Sequence, residues 1–380
     1  MKIGVPKEIK DQEYRVGITP AGVQALTRAG HEVVVQQGAG SRIGFSDADY
    51  RQMGATLATD AAAIYQCPMV VKVKEPQAAE YALLQEGQLL FTYLHLAPDA
   101  ALTDALIHRR VIGIAYETVT DAQRRLPLLI PMSEVAGRLS IQAGATALQM
   151  SNGGNGTLLG GVPGVPAARV VIIGGGVVGT QAARMAMGMG AEVTILDNNL
   201  ARLRQLDDLF GPLLRTCYAD SAAVAGHVKH ADLLIGAVLL PGKQAPKLVN
   251  AGMVKTMKPG SVIVDVAIDQ GGCVETSRPT THSAPTYIVD DVVHYCVANM
   301  PGACARTATL ALSHATLPYV LALAHKGIEA LLDDPGLLQG LNLYLGVVTC
   351  AAVADDLGLQ YVPAVEAIRQ SGIRQHQATG

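Results

Sequence analysis

The sequence predicts an α/β protein with two doubly wound domains, the first of them discontinuous, and a cleft between the two. Short apolar, β-branched segments alternate with helical segments along most of the chain, which is typical of parallel sheets covered by helices. A glycine-rich turn near the middle of the chain follows such a strand and opens a helix. The C-terminal stretch shows helical patterns without strands, so we expect it to complete the first domain.

Length and charge narrow the classes of function. The 380 residues suggest roughly two to three domains, and the 49% of hydrophobic residues supply ample material for their cores. The net charge is -3 with both signs interspersed, which leaves no basic stripe for nucleic acid and no polybasic segment for a membrane surface. The expected partner is therefore a small molecule.

The N-terminal sequence and the spacing of the cysteines predict a cytoplasmic protein. The N-terminal MKIGVPKEIK carries charges where a signal peptide needs its apolar region, and no uncharged apolar stretch is long enough to span a bilayer. The six cysteines form no CxxC pair. This predicts buried free thiols and no metal site.

The first domain begins with alternating strands and helices. Strands are predicted over 2–5, 32–35, 69–74, 89–94 and 111–116. Thr19 and Pro20 predict the N-cap and the first residue of a helix, and another helix is expected over 98–110. The glycines between 38 and 44 resemble a nucleotide-binding motif, but their spacing is one residue too long. The Ser-Asp that follows them predicts an ordinary loop and helix cap.

The chain is organised around residues 169–197, RVVIIGGGVVGTQAARMAMGMGAEVTILD. Strand, glycine turn, helix, second strand and acidic residue follow in order, which is the dinucleotide-binding fingerprint of a Rossmann-like domain. Gly174 permits the tight turn, Gly176 leaves room for a pyrophosphate, and Gly179 lets the helix lie close on the strand. The helix N-terminus attracts the phosphates. Asp197 is expected to accept the ribose hydroxyls, which favours NAD over NADP.

The rest of the chain completes this second domain and returns to the first. A helix over 133–150 and a Gly- and Pro-rich segment over 151–166 precede the fingerprint. Further strands are predicted over 215–219, 232–238, 261–268 and 292–297, which makes six in all. A long helix over 306–332, kinked at Pro318, and then polar helices are expected, with no strand in this tail. The predicted domains are a substrate domain, 1–130 plus 303–380, and an NAD-binding domain, 131–302.

Four polar residues lie near the mouths of predicted strands, where open α/β sheets bind ligands: Arg15, Lys74, His95 and Asp269. Taken singly, each has a simpler interpretation. Arg15 and Lys74 fit solvated charges, His95 fits a hydrogen-bonded core histidine, and Asp269 fits a helix cap. Together, four different chemical groups in two domains suit an amino-acid or keto-acid dehydrogenase.

Each of these residues has a distinct role in such a reaction. Arg15 would hold the substrate carboxylate, and Lys74 would take its other oxygen or polarise the keto-acid carbonyl. Hydride removal from an amine-bearing carbon leaves an iminium to which water adds, and His95 alone among the four titrates near neutrality. Asp269 would activate or orient that water and stabilise the cation.

Nine motifs of the chain resemble the NAD-dependent alanine dehydrogenase family, within the superfamily that includes the transhydrogenase alpha subunit. The resemblance runs from Met1 to at least Val362 with no large insertion. Besides the fingerprint, the motifs are GVPKEIKDQEYRVGITP at 4–20, VVKVKEP at 70–76, FTYLHLA at 91–97, IAYETV at 114–119, LLGGVPGV at 158–165, LLIGAVLLPG at 233–242, VDVAIDQGGCVETSRPTTH at 264–282 and HYCVANMPGA at 294–303.

The resemblance implies reversible oxidative deamination of L-alanine to pyruvate and ammonium, with hydride transfer to NAD, in a homohexamer. It assigns substrate binding to Arg15 and Lys74 and acid/base chemistry to His95 and Asp269. Beyond the fingerprint glycines Gly174, Gly176 and Gly179, it implies cofactor contacts from Ser133, Val177, Val178, Asp197, Arg202, Val238, Leu239, Ala267, Ile268, Asp269, Arg278, Val297, Ala298, Asn299 and Met300. No metal site is expected, and Glu117 is interpreted as a structural carboxylate at a strand end.

Three positions depart from the family pattern. Ala219 stands where the family often has serine, Asn155 replaces a basic residue, and Cys304-Ala305 replaces Val-Pro. Other interpretations are the nucleotide-binding subunit of a proton-translocating transhydrogenase, which would extend toward a membrane partner, and a saccharopine-type dehydrogenase, which needs room for a long substrate. A catalytically silent, NAD-responsive regulator would need neither His95 nor Asp269.

Overall fold

The computed structural model of the protein describes residues 1–238 and 245–370. The chain divides into two compact units: unit 1 comprises Met1–Met132 and Ala305–Gly380, and unit 2 comprises Ser133–Cys304. Each unit has its own largely parallel sheet with connecting helices, so the predicted α/β class with two doubly wound domains is confirmed.

Strands and helices are numbered along the described residues. The strands are β1 (Lys2–Val5), β2 (Glu32–Gln36), β3 (Thr56–Ala58), β4 (Met69–Val71), β5 (Leu89–Thr92), β6 (Ile112–Ala115), β7 (Arg169–Ile173), β8 (Glu192–Asp197), β9 (Leu214–Tyr218), β10 (Leu233–Gly236), β11 (Val262–Asp265), β12 (Thr286–Val289), β13 (Val292–Tyr295), β14 (Leu341–Tyr344) and β15 (Val347–Val348). The helices are α1 (Pro20–Arg28), α2 (Asp47–Gln52), α3 (Ala61–Tyr65), α4 (Ala100–His108), α5 (Ile130–Ala147), α6 (Val177–Gly188), α7 (Leu200–Phe210), α8 (Ser221–His230), α9 (Ala251–Val254), α10 (Ala305–Lys326), α11 (Glu329–Asp333), α12 (Pro335–Leu338) and α13 (Ala351–Leu357).

The sheet of unit 1 has the order β15-β14-β6-β5-β4-β1-β2-β3. Strands β1 to β6 are parallel, and the chain builds β1, β2 and β3 toward one edge before crossing back to β4. The strand order therefore reverses between β1 and β4. At such a switch point the loops after the two strands diverge to opposite faces and leave room for a ligand.

The local capping signals of unit 1 are confirmed. Thr19 accepts the backbone N–H of Gly22 at 3.2 Å, and Pro20 is the first residue of α1. The glycines between 38 and 44 form an ordinary loop with one short 3-10 turn, Ser41–Ile43. Ser46 then caps α2 in a reciprocal capping box with Asp49.

The prediction of a tail without strands is wrong. Strands β14 and β15 form an antiparallel hairpin, and β14 pairs with β6 at the edge of the unit 1 sheet. The turn between them is only Leu345-Gly346, and both residues have positive φ, of 50° and 95°. Each strand is too short for its periodicity to separate it from the surrounding helical pattern. Its identity as a strand depends on pairing with a partner far away in the sequence.

The long helix of the tail is shorter than predicted. Helix α10 continues through Pro318 and ends at Lys326, and Gly327 with φ +58° separates it from α11. By length and a mean hydropathy of 1.3, the segment Met300–Lys326 could cross a membrane. A buried core helix passes the same test, and Thr309 of α10 accepts the Val16 N–H at 3.3 Å within unit 1. We therefore interpret α10 as a core helix.

The sheet of unit 2 has the order β12-β13-β11-β10-β7-β8-β9. It contains the six predicted strands in the doubly wound order, with the switch point between β7 and β10. The seventh strand, β12, was not predicted, and it pairs antiparallel with β13 through a turn at Asp290 and Asp291, both with positive φ. Its four residues, TYIV, alternate between exposed and half-buried, and so short a segment is not separable from a loop by its pattern alone.

Unit 2 packs helices on both faces of this sheet. Val170 and Ile172 of β7 belong to one apolar cluster, whereas Val171 and Ile173 belong to another. This period of two places alternate side chains in two separate cores. All six cysteines of the chain are free thiols. Cys67, Cys273 and Cys296 are buried as predicted, and the other three are only half-buried.

Candidate functional site

The glycine turn of unit 2 lies at the switch point of its sheet. Gly174 follows β7 with φ +104°, and an added Cβ there would lie 2.7 Å from the carbonyl oxygen of Ala237, which follows β10. An added Cβ on Gly179 would lie 1.9 Å from the carbonyl oxygen of Gly174. Both positions require glycine, so the turn and the close helix packing occur as predicted.

Gly176 differs from the other two glycines because, among the residues that the structure describes, an added Cβ would meet nothing within 4 Å. It is the N-cap of α6, and within the described part of the chain no side chain caps the first turn of this helix. The N-terminal N–H groups of an α-helix lack internal partners, and together with the helix dipole they favour an anion. Bare backbone beside open space and an uncapped helix end fit the pyrophosphate of a dinucleotide.

Asp197 and Arg202 are both tied to this turn. The Asp197 carboxylate accepts the N–H groups of Gly175 at 2.7 Å and Asn199 at 2.8 Å. Arg202 donates to the carbonyl oxygen of Gly175 at 2.6 Å and to the hydroxyl of Thr180 at 2.7 Å. Arg202 therefore supports the turn, and the half-buried Asp197 keeps lone pairs for a ribose hydroxyl.

The other predicted cofactor residues of unit 2 fall into two groups by exposure. Val177, Ser133, Val238, Ala298 and Asn299 are exposed or half-buried. Leu239 lies outside the described residues. The side chains of the remaining apolar positions are buried, so any ligand contact there would come from backbone atoms; these positions are Val178, Ala267, Ile268, Val297 and Met300. Arg278 is exposed, and its guanidinium lies 4.1 Å from the centre of the Tyr287 ring.

The strand before Asp269 is shorter than the predicted 261–268, so Asp269 lies in the loop after it. Strand β11 ends at Asp265, and Asp269 lies in the 3-10 turn Val266–Gln270 that follows. Its exposed carboxylate accepts the Asn299 N–H at 3.3 Å. The residue that caps the turn is Asp265, a fully buried carboxylate that accepts the N–H groups of Ala267 and Val274 at 3.2 and 3.1 Å.

Arg15 lies in the loop after β1 of unit 1 and is only 2% exposed, so its interpretation as a solvated charge is wrong. Its Nε and Nη2 atoms donate to the two carboxylate oxygens of Glu13 at 2.7 and 2.5 Å. Its Nη1 atom lies 3.1 Å from the sulfur of Met132. A planar guanidinium fixed along one edge presents its other edge, Nη1 and Nη2, in a defined orientation.

Lys74 lies three residues beyond the end of β4, in the loop that adjoins the one carrying Arg15. It is largely buried, and its ammonium lies 3.3 Å from the carboxylate of Glu75, which also pairs with Lys10. Burial opposes ionisation of Glu75, but Lys74 and Lys10 lower its pKa to about 2. The positive charge of His95 also lowers the pKa of Glu75. The solvated interpretation of Lys74 is therefore wrong as well.

His95 follows β5 with φ +47° and an exposed side chain, so it is not a core histidine. Its backbone N–H donates to Glu117 at 2.7 Å, and the same carboxylate accepts the Leu94 N–H at 3.1 Å. Its ring stacks on Tyr93 with centroids 5.7 Å apart. Glu117 thus holds the uncommon backbone conformation, as expected for a structural carboxylate. Among the residues that the structure describes, no cluster of three or more His, Cys, Asp or Glu side chains suits a metal.

Three of the four predicted residues, Arg15, Lys74 and His95, belong to unit 1, and Asp269 belongs to unit 2. Glu13 and Glu75, which hold two of these residues, were not identified from the sequence, whereas Glu117 was interpreted there as a structural carboxylate. Glu13 supports Arg15, Glu75 pairs with Lys74, and Glu117 supports His95. Only Glu13 carried a usable signal, since an acidic residue two positions before a buried arginine can pair with it locally.

The departures from the family pattern lie in ordered segments. The backbone N–H of Asn155 donates to the carbonyl oxygen of Gly260 at 2.9 Å, and its side chain accepts the Thr157 N–H at 3.1 Å. Ala219 packs against one apolar cluster of unit 2. Cys304 ends a short 3-10 turn directly before α10.

Comparison with known proteins agrees with this architecture. Residues 4–136 match the family model of the alanine dehydrogenase/PNT N-terminal domain, and residues 140–351 match that of the C-terminal domain. The alanine dehydrogenases of Halomonas elongata and Methanococcus maripaludis are each 56% identical to the chain, covering 97% of it and 100% of the relative.

Solved structures give the same result. A structure of an L-alanine dehydrogenase superposes with a TM-score of 0.92 at 55% identity, covering 94% of this chain and 99% of that one. A transhydrogenase from Sinorhizobium meliloti superposes with a TM-score of 0.80 at 25% identity, covering 92% and 100%. The fold, the glycine turn and these matches together establish that the chain belongs to the alanine dehydrogenase/PNT family.

Proposed function

We propose that the protein is an NAD-dependent alanine dehydrogenase, which converts L-alanine, NAD and water reversibly to pyruvate, ammonium, NADH and a proton. The observation that carries the proposal is the presence of two buried cations, Arg15 and Lys74, on the adjoining loops at the switch point of the unit 1 sheet. Buried cations on fixed side chains suit a small carboxylate substrate. The full-length similarity to alanine dehydrogenases supports the same activity.

Arg15 and Lys74 bind the substrate in this proposal. Glu13 holds the Nε and Nη2 atoms of Arg15, which fixes the plane of the guanidinium that receives the substrate carboxylate. The Lys74 ammonium takes the other carboxylate oxygen or polarises the pyruvate carbonyl. Arg15 is 2% exposed, so only a small ligand that displaces little structure reaches it. This limit on size disfavours the long substrate of a saccharopine-type dehydrogenase.

His95 and Asp269 act as the acid/base pair. The exposed imidazole of His95 exchanges a proton with the substrate nitrogen or with the water that adds to the iminium. Its backbone N–H donates to Glu117, and its Nδ1 atom lies 3.9 Å from the same carboxylate, so Glu117 orients the residue. The Asp269 carboxylate accepts one backbone N–H and retains lone pairs that can orient water or stabilise a cationic iminium.

The residues of unit 2 hold the dinucleotide. NAD, when bound, accepts the hydride from the substrate carbon. The uncapped N-terminus of α6 beside Gly176 binds the pyrophosphate, and Asp197 binds the adenosine ribose. The family resemblance supports contacts from Ser133, Arg278 and the 297–300 loop. The predicted cofactor residues whose side chains are buried contribute backbone groups.

We also propose that unit 1 is the substrate domain, with the limits 1–130 plus 303–380, and unit 2 the NAD-binding domain, 131–302. The family resemblance supports a cytoplasmic homohexamer. Exposed apolar side chains in the Gly- and Pro-rich segment, Leu158, Val162 and Val165, favour self-association. Sedimentation equilibrium measures the assembly directly.

The decisive experiment follows NADH absorbance with purified protein and either NAD or NADP. The panel contains L-alanine, D-alanine, glycine and L-serine. We expect rapid reduction with L-alanine and NAD alone, and loss of activity in Lys74→Met. Lys7→Met is the matched control, because Lys7 is an exposed lysine on the loop after β1. No turnover with any amino acid, together with intact NADH binding, would contradict the proposal and favour a transhydrogenase-like or regulatory protein.

A further inference from the structure

A buried charged cluster lies under the loop that carries Lys74. Lys72 is fully buried, and its ammonium donates to Glu8 at 3.1 Å and to Glu80 at 2.9 Å. Tyr65 donates its hydroxyl to the same oxygen of Glu80 at 2.8 Å. A cluster of one ammonium and two carboxylates is costly to bury unless each atom is paired. None of these groups takes part in the proposed chemistry, so their presence needs another reason.

Glu8 connects this cluster to the backbone of Lys74. Its Oε2 atom pairs with Lys72, and its Oε1 atom accepts the N–H groups of Val73 at 2.7 Å and Lys74 at 3.3 Å. Strand β4 ends at Val71, so these N–H groups lie beyond its ladder. A single carboxylate therefore replaces the sheet partner where the chain leaves β4.

The carbonyl groups of the same segment are fixed by hydroxyls. Tyr116 donates to the carbonyl oxygen of Lys72 at 3.0 Å, and Thr92 donates to that of Lys74 at 2.9 Å. Both donors are fully buried. The backbone of residues 72–74 is thus held from both sides, and the Glu8 carboxylate supplies a charged contact.

The ionisation of Glu8 depends on Lys72. Burial raises the pKa of Glu8, and the neighbouring ammonium of Lys72 lowers it. The hydrogen bond from the Val73 N–H also lowers the pKa of Glu8. Removing Lys72 takes away the buried ammonium that pairs with Glu8 and Glu80, whereas removing Glu8 leaves Lys72 paired with Glu80.

We propose that Glu8 is a positioning residue for Lys74, which fixes the lysine backbone so that its ammonium meets the substrate in one orientation. The proposal rests on the proposed function, in which Lys74 binds the substrate. Glu8 lies in the loop after β1 that also carries Arg15, so one carboxylate sets the spacing between the two loops that hold the substrate-binding cations.

Glu80 provides a matched control. It is buried and pairs with the same ammonium, but its second oxygen accepts the N–H of Gln77 at 2.8 Å, away from Lys74. Loss of stability in the cluster would affect Glu8→Gln and Glu80→Gln alike. Loss of positioning would affect Glu8→Gln alone.

The experiment measures kcat and KM for L-alanine, the dissociation constant of NADH and the melting temperature for both variants. We expect Glu8→Gln to lower kcat/KM by about tenfold or more, mainly through KM, because a misplaced lysine weakens substrate binding. NADH affinity should stay within about twofold of wild type, since the nucleotide residues belong to unit 2. Glu80→Gln should change KM by less than about threefold.

Glu8→Asp tests the same idea if Glu8→Gln does not fold. It keeps the charge beside Lys72 but draws the carboxylate back from the Val73 and Lys74 N–H groups, so KM should again rise. Equal KM effects in the Glu8 and Glu80 variants, or an unchanged KM in a folded Glu8 variant, would overturn the proposal. If the wild-type protein turns over no alanine, the proposed function fails. If the wild-type protein is active and the folded Glu8 variants have a normal KM, or Lys74→Met retains wild-type turnover, only the positioning role fails.

Discussion

Gly179 and Gly174 are in direct contact across the nucleotide turn, since an added Cβ on Gly179 would lie 1.9 Å from the Gly174 carbonyl oxygen. That oxygen is backbone and cannot rotate away. Gly179→Ala should therefore shift α6 and lower the free energy of unfolding by about 3 kcal/mol or more. Chemical denaturation measures the change. The control is Gly188→Ala at the end of the same helix, where an added Cβ meets nothing within 4 Å and stability should change by less than about 1 kcal/mol.

Gly176→Ala should weaken NADH binding with little change in the stability of the protein. The site is open and its φ of -68° suits alanine, so the free energy of unfolding should change by less than about 1 kcal/mol. A methyl group there occupies the space proposed for the pyrophosphate. NADH affinity should fall by roughly tenfold to a hundredfold, measured by fluorescence titration. Wild-type affinity in this variant would place the dinucleotide elsewhere.

Asp197→Asn should alter the choice of cofactor. The amide keeps one acceptor oxygen for the turn but removes the charge that repels a 2′-phosphate. We expect kcat/KM with NAD to fall by about tenfold or more and the preference over NADP to shrink. Steady-state kinetics with both cofactors measures this, with the exposed Asp208→Asn as the control. An unchanged preference would show that another residue reads the ribose.

His95→Asn should abolish proton transfer while preserving the local backbone. Asparagine tolerates the φ of +47° better than alanine does, so the contact with Glu117 should survive. Turnover should fall by roughly 10²- to 10⁴-fold, with NADH affinity unchanged. His108→Asn, an exposed histidine at the end of α4, is the control and should be fully active. Retained catalysis with lost NADH binding would refute the role of His95.

Glu75→Gln should destabilise the protein in a pH-dependent manner. The pKa of Glu75 lies at about 2, below its ordinary value of 4.5, so its ionised form stabilises the folded state above pH 4.5. The difference in unfolding free energy from wild type should be roughly 3 kcal/mol near neutral pH and should vanish as the pH falls from 4.5 toward 2. Denaturation across this range measures it. Glu86→Gln, in an exposed ion pair with Arg110, should show almost no effect.

The local features of the fold could be predicted from the sequence. The fingerprint glycines, the Thr19 cap and the alternating apolar strands depend on interactions within a few residues, so their patterns are readable along the chain. The four candidate residues were found because parallel strands bring their C-terminal ends to one edge. Strands β12 and β14 were missed because they are short, and their identity depends on pairing with a distant strand.

The family, the nucleotide fingerprint and the chemical types at the candidate site are readable from the amino-acid order alone. The contacts that hold those groups arise in the folded protein. Glu8 lies 65 positions from Val73, and Glu117 lies 22 positions from His95, yet each carboxylate accepts a backbone N–H of that distant segment. No local pattern encodes such contacts, because they exist only after the strands assemble into a sheet. The burial of Arg15 and Lys72 could not be predicted from the sequence for the same reason, because a charged residue is buried only where the fold supplies its counter-charge.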